Sequence, residues 1–136
     1  MTATQVKTVI AAFVEAINAH DVDALARLMT DDHLFVDSLG SRVVGADAMT
    51  AGWRHYFAMF PDYRIDLDEI LTEGSDAMLR GSAHGTLYQN GAPVPDGAWT
   101  VAAAWRVVVL GGKISLWQVY ADNKQVYDLL ERRNKK

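Results

Sequence analysis

The sequence predicts one α+β domain, helices first and a long, curved antiparallel sheet after them. Three observations carry this. Apolar residues recur three and four apart over much of the first 60 positions, and the period changes to two after Pro61. Glycine-bearing turns then cut the second half into strand-sized pieces.

Val6, Val9, Ile10, Phe13, Val14 and Ile17 form one helical face, with Thr2 and Gln5 placed as a capping box at its start. Asp21 is a good N-cap for a short second helix with Leu25, Leu28 and Met29 inward. HLFVDSLG reads as a strand ending at Gly40. A third helix follows Gly45, carrying Met49, Trp53, Tyr56, Phe57 and Phe60, and Pro61 stops it. Residues 64–71 form a strand whose alternation slips at Asp68-Glu69, the mark of a bulge. A turn at Glu73–Asp76 leads into a strand over 77–88. Asn90-Gly91 and Asp96-Gly97, with Pro93 and Pro95 between, read as an open loop. Strands over 98–110 and 113–121 meet at the hairpin signal Gly111-Gly112. A last helix spans about 123–132, with Val126, Leu129 and Leu130 inward, before a solvated basic tail of Arg132, Arg133, Lys135 and Lys136.

Composition narrows the function classes. A chain of 136 residues has the length of one domain, and 50% hydrophobic with 22% charged residues is globular composition. There is no cysteine, so disulfides, thiolate metal sites and cysteine nucleophiles are excluded. A net charge of −4 argues against a nucleic-acid or anionic-membrane surface. No apolar run reaches the roughly 18 residues of a membrane span. Glu15 interrupts the apolar stretch near the N-terminus, so a signal peptide is not expected, and the expected location is the cytoplasm.

Several stretches, in order, resemble the nuclear-transport-factor-2-like superfamily: FVEAINAHDVDALARLMTDD, HLFVDSLG with VVGADAM, FPDYRIDLDEILTEGSDAMLRGSAHGT and GGKISLWQVYADNKQVYDLL. Within it they are similar to the SnoaL-like polyketide cyclase and ketosteroid isomerase-like branches. The resemblance covers nearly the whole chain. It implies a cone of sheet covered by N-terminal helices, a cystatin-like roll. The superfamily holds isomerases, cyclases, epoxide hydrolases and non-catalytic binding domains, so the fold leaves the activity open.

Asp37 follows Phe35 at the strand interval of two, so both side chains share a face. Facing into the cone, a desolvated carboxylate would be a usable base near neutral pH. The resemblance puts the isomerases' proton-moving aspartate here. The plainer reading is a turn aspartate capping Ser38-Leu39-Gly40. The isomerases' two enolate-holding donors are not matched: Phe13 stands at the tyrosine-like position and Ala103 at the second aspartate-like one. Losing such a donor costs about 10²–10³ in rate. Nor is the epoxide-hydrolase Asp-Arg-Asp set matched, with Ala102, Ala103 and Val119 in that neighbourhood.

On strand 77–88, Met78, Arg80, Ser82, His84 and Thr86 share one face. The resemblance turns that face into the cone, where His84 would act as general acid and Arg80 as a donor. The alternative is an outer face meeting water or a second subunit. Trp99, Val101, Ala103 and Trp105 alternate on one strand, and Trp117 and Val119 continue their face. With Trp53 and Phe57 from the covering helix they wall either a ligand pocket or a filled core. His20 reads as a surface connector, His33 as a strand opener near solvent, and His55 as facing either way. None has metal-site spacing. Asp122 is best read as the N-cap of the last helix.

The expectation is a cofactor-independent isomerase or cyclase. Asp37 would be the base and His84 the acid, acting on a small apolar or polycyclic carbonyl ligand held by Phe13, Trp53, Phe57, Arg80, Trp99, Trp105 and Trp117. The alternative is a non-catalytic binding or dimerisation module. A homodimer is expected because Ala102, Ala104, Val108, Leu116 and Tyr120 make one sheet face too apolar to expose.

Overall fold

The computed structural model describes residues 1–134, with side chains described to Arg132. Helix α1 (Ala3–Asn18) opens on the expected capping box: the Thr2 hydroxyl accepts the Gln5 amide at 3.1 Å and the Gln5 side chain accepts the Thr2 amide at 2.7 Å. Its apolar stripe buries Val6, Ile10, Phe13, Val14 and Ile17. At its end Asn18 clamps Ile65 through both side-chain amide atoms, donating to the carbonyl at 2.9 Å and accepting the amide at 2.8 Å. Asp21 caps α2 (Val22–Leu28) by accepting the Ala24 amide at 3.1 Å. Leu25 is buried there, Leu28 is half-buried, and Met29 already belongs to the next strand.

Strand β1 (Met29–Val36) stops before Gly40 because Asp37 bends the chain: its Oδ1 accepts the Leu39 and Ser41 amides, both at 2.9 Å. The sequence reading missed β2 (Arg42–Val44), three residues that pair with β1. Helix α3 (Ala46–Met59) follows Gly45, and Phe60-Pro61 ends it. Strands β3 (Arg64–Glu73), β4 (Asp76–Gln89), β5 (Ala92–Leu110) and β6 (Lys113–Ala121) form successive hairpins, and α4 (Lys124–Asn134) closes the chain. Asp122 accepts the Lys124 amide at 3.1 Å at the mouth of α4. Arg132 is exposed; the rest of the expected basic tail, Arg133, Lys135 and Lys136, lies outside the residues with described side chains.

The open loop expected over 90–97 is instead a hairpin. Asn90 and Gly91, both at positive φ (53° and 78°), make the two-residue turn, and β5 runs on through Pro93 and Pro95. The prolines fit because β6 pairs with β5 only from Ala103 onward. Before that point β5 has a free edge, where a missing N–H breaks no ladder bond.

The six strands form one sheet in the order β2-β1-β6-β5-β4-β3. Every pair is antiparallel except β1 with β6, which is parallel. Register shifts at Leu67/Glu69, Thr86/Tyr88 and Val108/Val109 bend the long strands into a trough. The first is the bulge expected at Asp68-Glu69. Gly81 sits beside it, and a Cβ there would overlap the Asp66 carbonyl. Helix α1 packs on β3, β5 and β6, α3 on β1 and β4, and α4 on β5. The helices and the concave sheet face meet in a core that includes Phe13, Leu79, Trp105 and Trp117.

Candidate functional site

A chamber of about 260 Å³ remains between the concave sheet face and helices α3 and α4. Trp99, Val101, Ala103 and Trp105 of β5 floor it, flanked by Ala83 of β4 and by Trp117, Val119 and Ala121 of β6. Met49, Trp53 and Tyr56 of α3 form one wall, and Val126, Tyr127 and Leu130 of α4 another. Small residues make the room: Ala83, Ala103 and Ala121 stand where larger side chains would fill the floor. Phe35 and Asp37 reach it together from the end of β1, as the strand interval required. The Asn123 side-chain amide donates to the Ser38 hydroxyl at 3.1 Å and ties the start of α4 to the turn beside Asp37.

Asp37 thus combines both sequence readings. One oxygen organises the turn through the Leu39 and Ser41 amides, and the residue lines the chamber as the sole carboxylate among its described lining residues. The two amides hold its orientation, which a general base needs as much as basicity.

The structure separates the other expected site residues. Trp53, Trp99, Trp105 and Trp117 reach the chamber wall. Phe13 does not: it is fully buried in the core between α1 and the sheet, its ring 4.9 Å from that of Trp117 and 6.4 Å from that of Trp53. Phe57 also stays outside, stacked on His20 at 4.0 Å and beside Trp53 at 5.3 Å. His84 and Arg80 are on the outer sheet face, contrary to the inward placement implied by the resemblance. His84 Nε2 meets Asp66 at 3.1 Å, while Arg80 reaches Asp68 at 3.4 Å and Glu69 at 3.7 Å. The inward face of β4 is the other parity, Ala77, Leu79, Gly81, Ala83, Gly85 and Leu87. A sharply bent sheet crowds its concave side: a Cβ at Gly85 would lie 3.2 Å from the Trp99 ring and 3.4 Å from Phe60. Small residues therefore mark the inside, and the polar strip meets solvent.

His33 and His20 also differ from expectation. His33 is fully buried rather than near solvent, its Nδ1 donating to the Ile114 carbonyl at 2.7 Å while Nε2 has no partner among the described residues. Burial lowers its pKa. His20 stitches the helix link to the start of β3, its Nε2 2.8 Å from the Tyr63 carbonyl. His55 is exposed. Among the described residues no three His, Asp or Glu side chains cluster as metal ligands.

Three chamber residues escaped the sequence reading as functional groups: Tyr56, Tyr63 and Tyr127. Burial pushes the Tyr63 phenol well up, and burial with the nearby Tyr63 and Tyr127 phenols does the same for Tyr56. Both stay protonated near neutral pH and so remain hydrogen-bond donors. Tyr56 was legible only as one more member of a helical stripe. Tyr63 and Tyr127 lie 64 residues apart and line one chamber only once the sheet has brought α4 back to it.

A bent six-stranded sheet, helices on its concave side and a chamber between them define the nuclear-transport-factor-2-like, ketosteroid isomerase-like class of fold. The SnoaL-like domain profile matches residues 10–117, and the chain belongs to that family. Solved structures agree at low identity. A protein from Jannaschia assigned as a SnoaL-like polyketide cyclase is 16% identical, with a TM-score of 0.78 over 91% of this chain and 90% of that one. An epoxide hydrolase of M. tuberculosis, like limonene epoxide hydrolase, is 19% identical, with a TM-score of 0.76 over 94% and 88%. A ketosteroid isomerase-like protein from Catenulispora acidiphila, in complex with trimethylamine, is 20% identical, with a TM-score of 0.71 over 82% and 83%. Among curated proteins none matches the chain. No described helix is long and apolar enough to cross a membrane.

Proposed function

We propose that the chamber binds a compact, largely apolar carbonyl compound and that Asp37 removes a proton alpha to the carbonyl, starting an isomerisation or an aldol-type ring closure. The observation that carries this reading is the position of Asp37, the one carboxylate among the described lining residues, with a fixed orientation at a wall that is apolar and phenolic apart from Ser38 and Asn123. The volume, about 260 Å³, lies just below the usual ~300–1,000 Å³ range of ligand sites and suits a one- or two-ring molecule. Aromatic walls offer flat contact to such a ligand. The chemistry needs no cofactor: the proton leaves carbon for the Asp37 carboxylate, the electron pair moves onto the carbonyl oxygen, and the proton returns at a second carbon or the enolate attacks a second carbonyl.

The homodimer belongs to the same proposal. Met78, Leu110 and Tyr120 are exposed on the outer sheet face, around the Ala102, Ala104, Val108 and Leu116 patch. A second copy would cover that face while leaving the chamber open on the other side of the sheet.

Thermal unfolding of wild type and Asp37→Asn against a panel of one- and two-ring ketones tests the reading. A ligand at 100 times its dissociation constant stabilises by about 2.7 kcal/mol. The expected result is a raised midpoint in both proteins with turnover in wild type alone. A midpoint shift in both with no wild-type turnover supports a non-catalytic binding module. No shift with any ketone overturns the proposal.

A further inference from the structure

We propose that the phenols of Tyr56, Tyr63 and Tyr127 form the subsite that holds the carbonyl oxygen of a neutral ligand. The inference rests on the carbonyl-compound reading above and adds where the oxygen sits and which charge state is accepted. Three separate segments contribute the cluster: Tyr56 from α3, Tyr63 from the link into β3, and Tyr127 from α4. All three line the chamber. The Tyr56 and Tyr63 rings stand perpendicular at 4.9 Å, and the Tyr56 phenol senses those of both Tyr63 and Tyr127.

None of the three hydroxyls makes a hydrogen bond to another described residue, and none is among the described buried polar atoms, so all three are open to whatever enters the chamber. Two tryptophans flank the cluster with their indole nitrogens sealed from the chamber. Trp53 and Trp99 are buried, and their indole Nε1 atoms have no partner among the described residues. Ring contacts run without a break from Trp53 to Tyr56 at 6.4 Å, Tyr56 to Tyr63 at 4.9 Å and Tyr63 to Trp99 at 6.0 Å. Phenol donors that line the chamber without an acceptor call for an acceptor on the ligand.

Charge decides what kind of acceptor. Among its described residues the chamber lining has no Lys, Arg or His, and its one carboxylate is Asp37. A carboxylate ligand would enter a desolvated site with no counter-charge among the described lining residues and a like charge, Asp37, in its wall. A ketone oxygen gains the same hydrogen bonds without that cost. The cluster thus takes over the work that Phe13 and Ala103, which carry no donor, cannot do. His84 and Arg80 point away from the chamber and cannot do it either.

Three near-isosteric probes test this by isothermal titration: 2-acetylnaphthalene, 2-ethylnaphthalene and 2-naphthoate. Wild type should bind the ketone about tenfold more tightly than the hydrocarbon, the worth of one or two net hydrogen bonds, and the naphthoate most weakly. Tyr56→Phe, Tyr63→Phe and Tyr127→Phe, singly and together, should shrink the ketone-to-hydrocarbon ratio towards one while leaving hydrocarbon affinity in place. The infrared carbonyl stretch of the ketone bound to wild type needs no variant and should fall below its value in hexane. A ratio unchanged in the triple variant, an unshifted stretch, or tightest binding of the naphthoate overturns the inference while leaving the chamber reading standing. Failure of all three probes to bind wild type overturns both. Catalysis by Asp37 is read separately, because Asp37→Asn removes the base without removing a phenol.

Discussion

His33 and His84 lie on the same sheet in opposite surroundings, and each carries a prediction. His33 is buried with Nδ1 committed to the Ile114 carbonyl, and burial holds its pKa below the ordinary 6.5. The unfolded chain then binds the proton first as pH falls, so the stability contribution is complete above pH 6.5 and declines below it until the folded pKa is passed. Unfolding midpoints measured from pH 8 to pH 5 should drop on the acid side, and His33→Gln should flatten that drop. His84 sits on the outer face against Asp66, both partly exposed, and such a pair contributes about 0–1 kcal/mol. His84→Ala should therefore leave ligand affinity unchanged and stability within about 1 kcal/mol, which denaturant titration with a ligand assay checks. Sequence parity placed Asp37 with Phe35 correctly but could not orient the face of His84. Parity says which residues share a side, and only curvature says which side is inside. Curvature was in fact written in Gly81 and Gly85, the residues a crowded concave face requires.

At the scale of elements, the long periodic segments and their caps were legible: α1 with its Thr2–Gln5 box, α2 with Asp21, α3 between Gly45 and Pro61, the β3 bulge and the Gly111-Gly112 turn. The failures came where local chemistry served a nonlocal arrangement. Pro93 and Pro95 read as loop because strand prolines are tolerated only at a free edge, and that edge exists only because β6 stops pairing at Ala103. The three residues of β2 carry too little pattern to register. Two substitutions probe what joins the elements. Gly81→Ala drives a methyl into the Asp66 carbonyl and should destabilise by about 1–3 kcal/mol through forced backbone movement. Asn18→Ala removes both bonds to Ile65 and should cost about 1–3 kcal/mol, the sum of two ordinary hydrogen bonds. Urea titrations of the two variants read both values.

For the whole molecule, element order and family resemblance were enough to reach the fold, because a helical half followed by a meander of long strands has few compact solutions. The chamber was less legible. The tryptophans suggested it, but the phenol cluster depends on α4 returning to the chamber that α3 also lines, a placement no local pattern encodes. The proposed dimer is a whole-molecule prediction as well. Sedimentation should show a dimer in wild type and a shift towards monomer in Tyr120→Lys or Ala104→Lys, which place charge on the outer face. The central claim is that Asp37 works as a base on a carbonyl compound bound in the chamber. Its most direct test is proton NMR of α-hydrogen exchange on 2-acetylnaphthalene in deuterium oxide. Wild type should accelerate the exchange and Asp37→Asn should return it to the protein-free rate, with the ketone still bound. Equal exchange in the two proteins would contradict it.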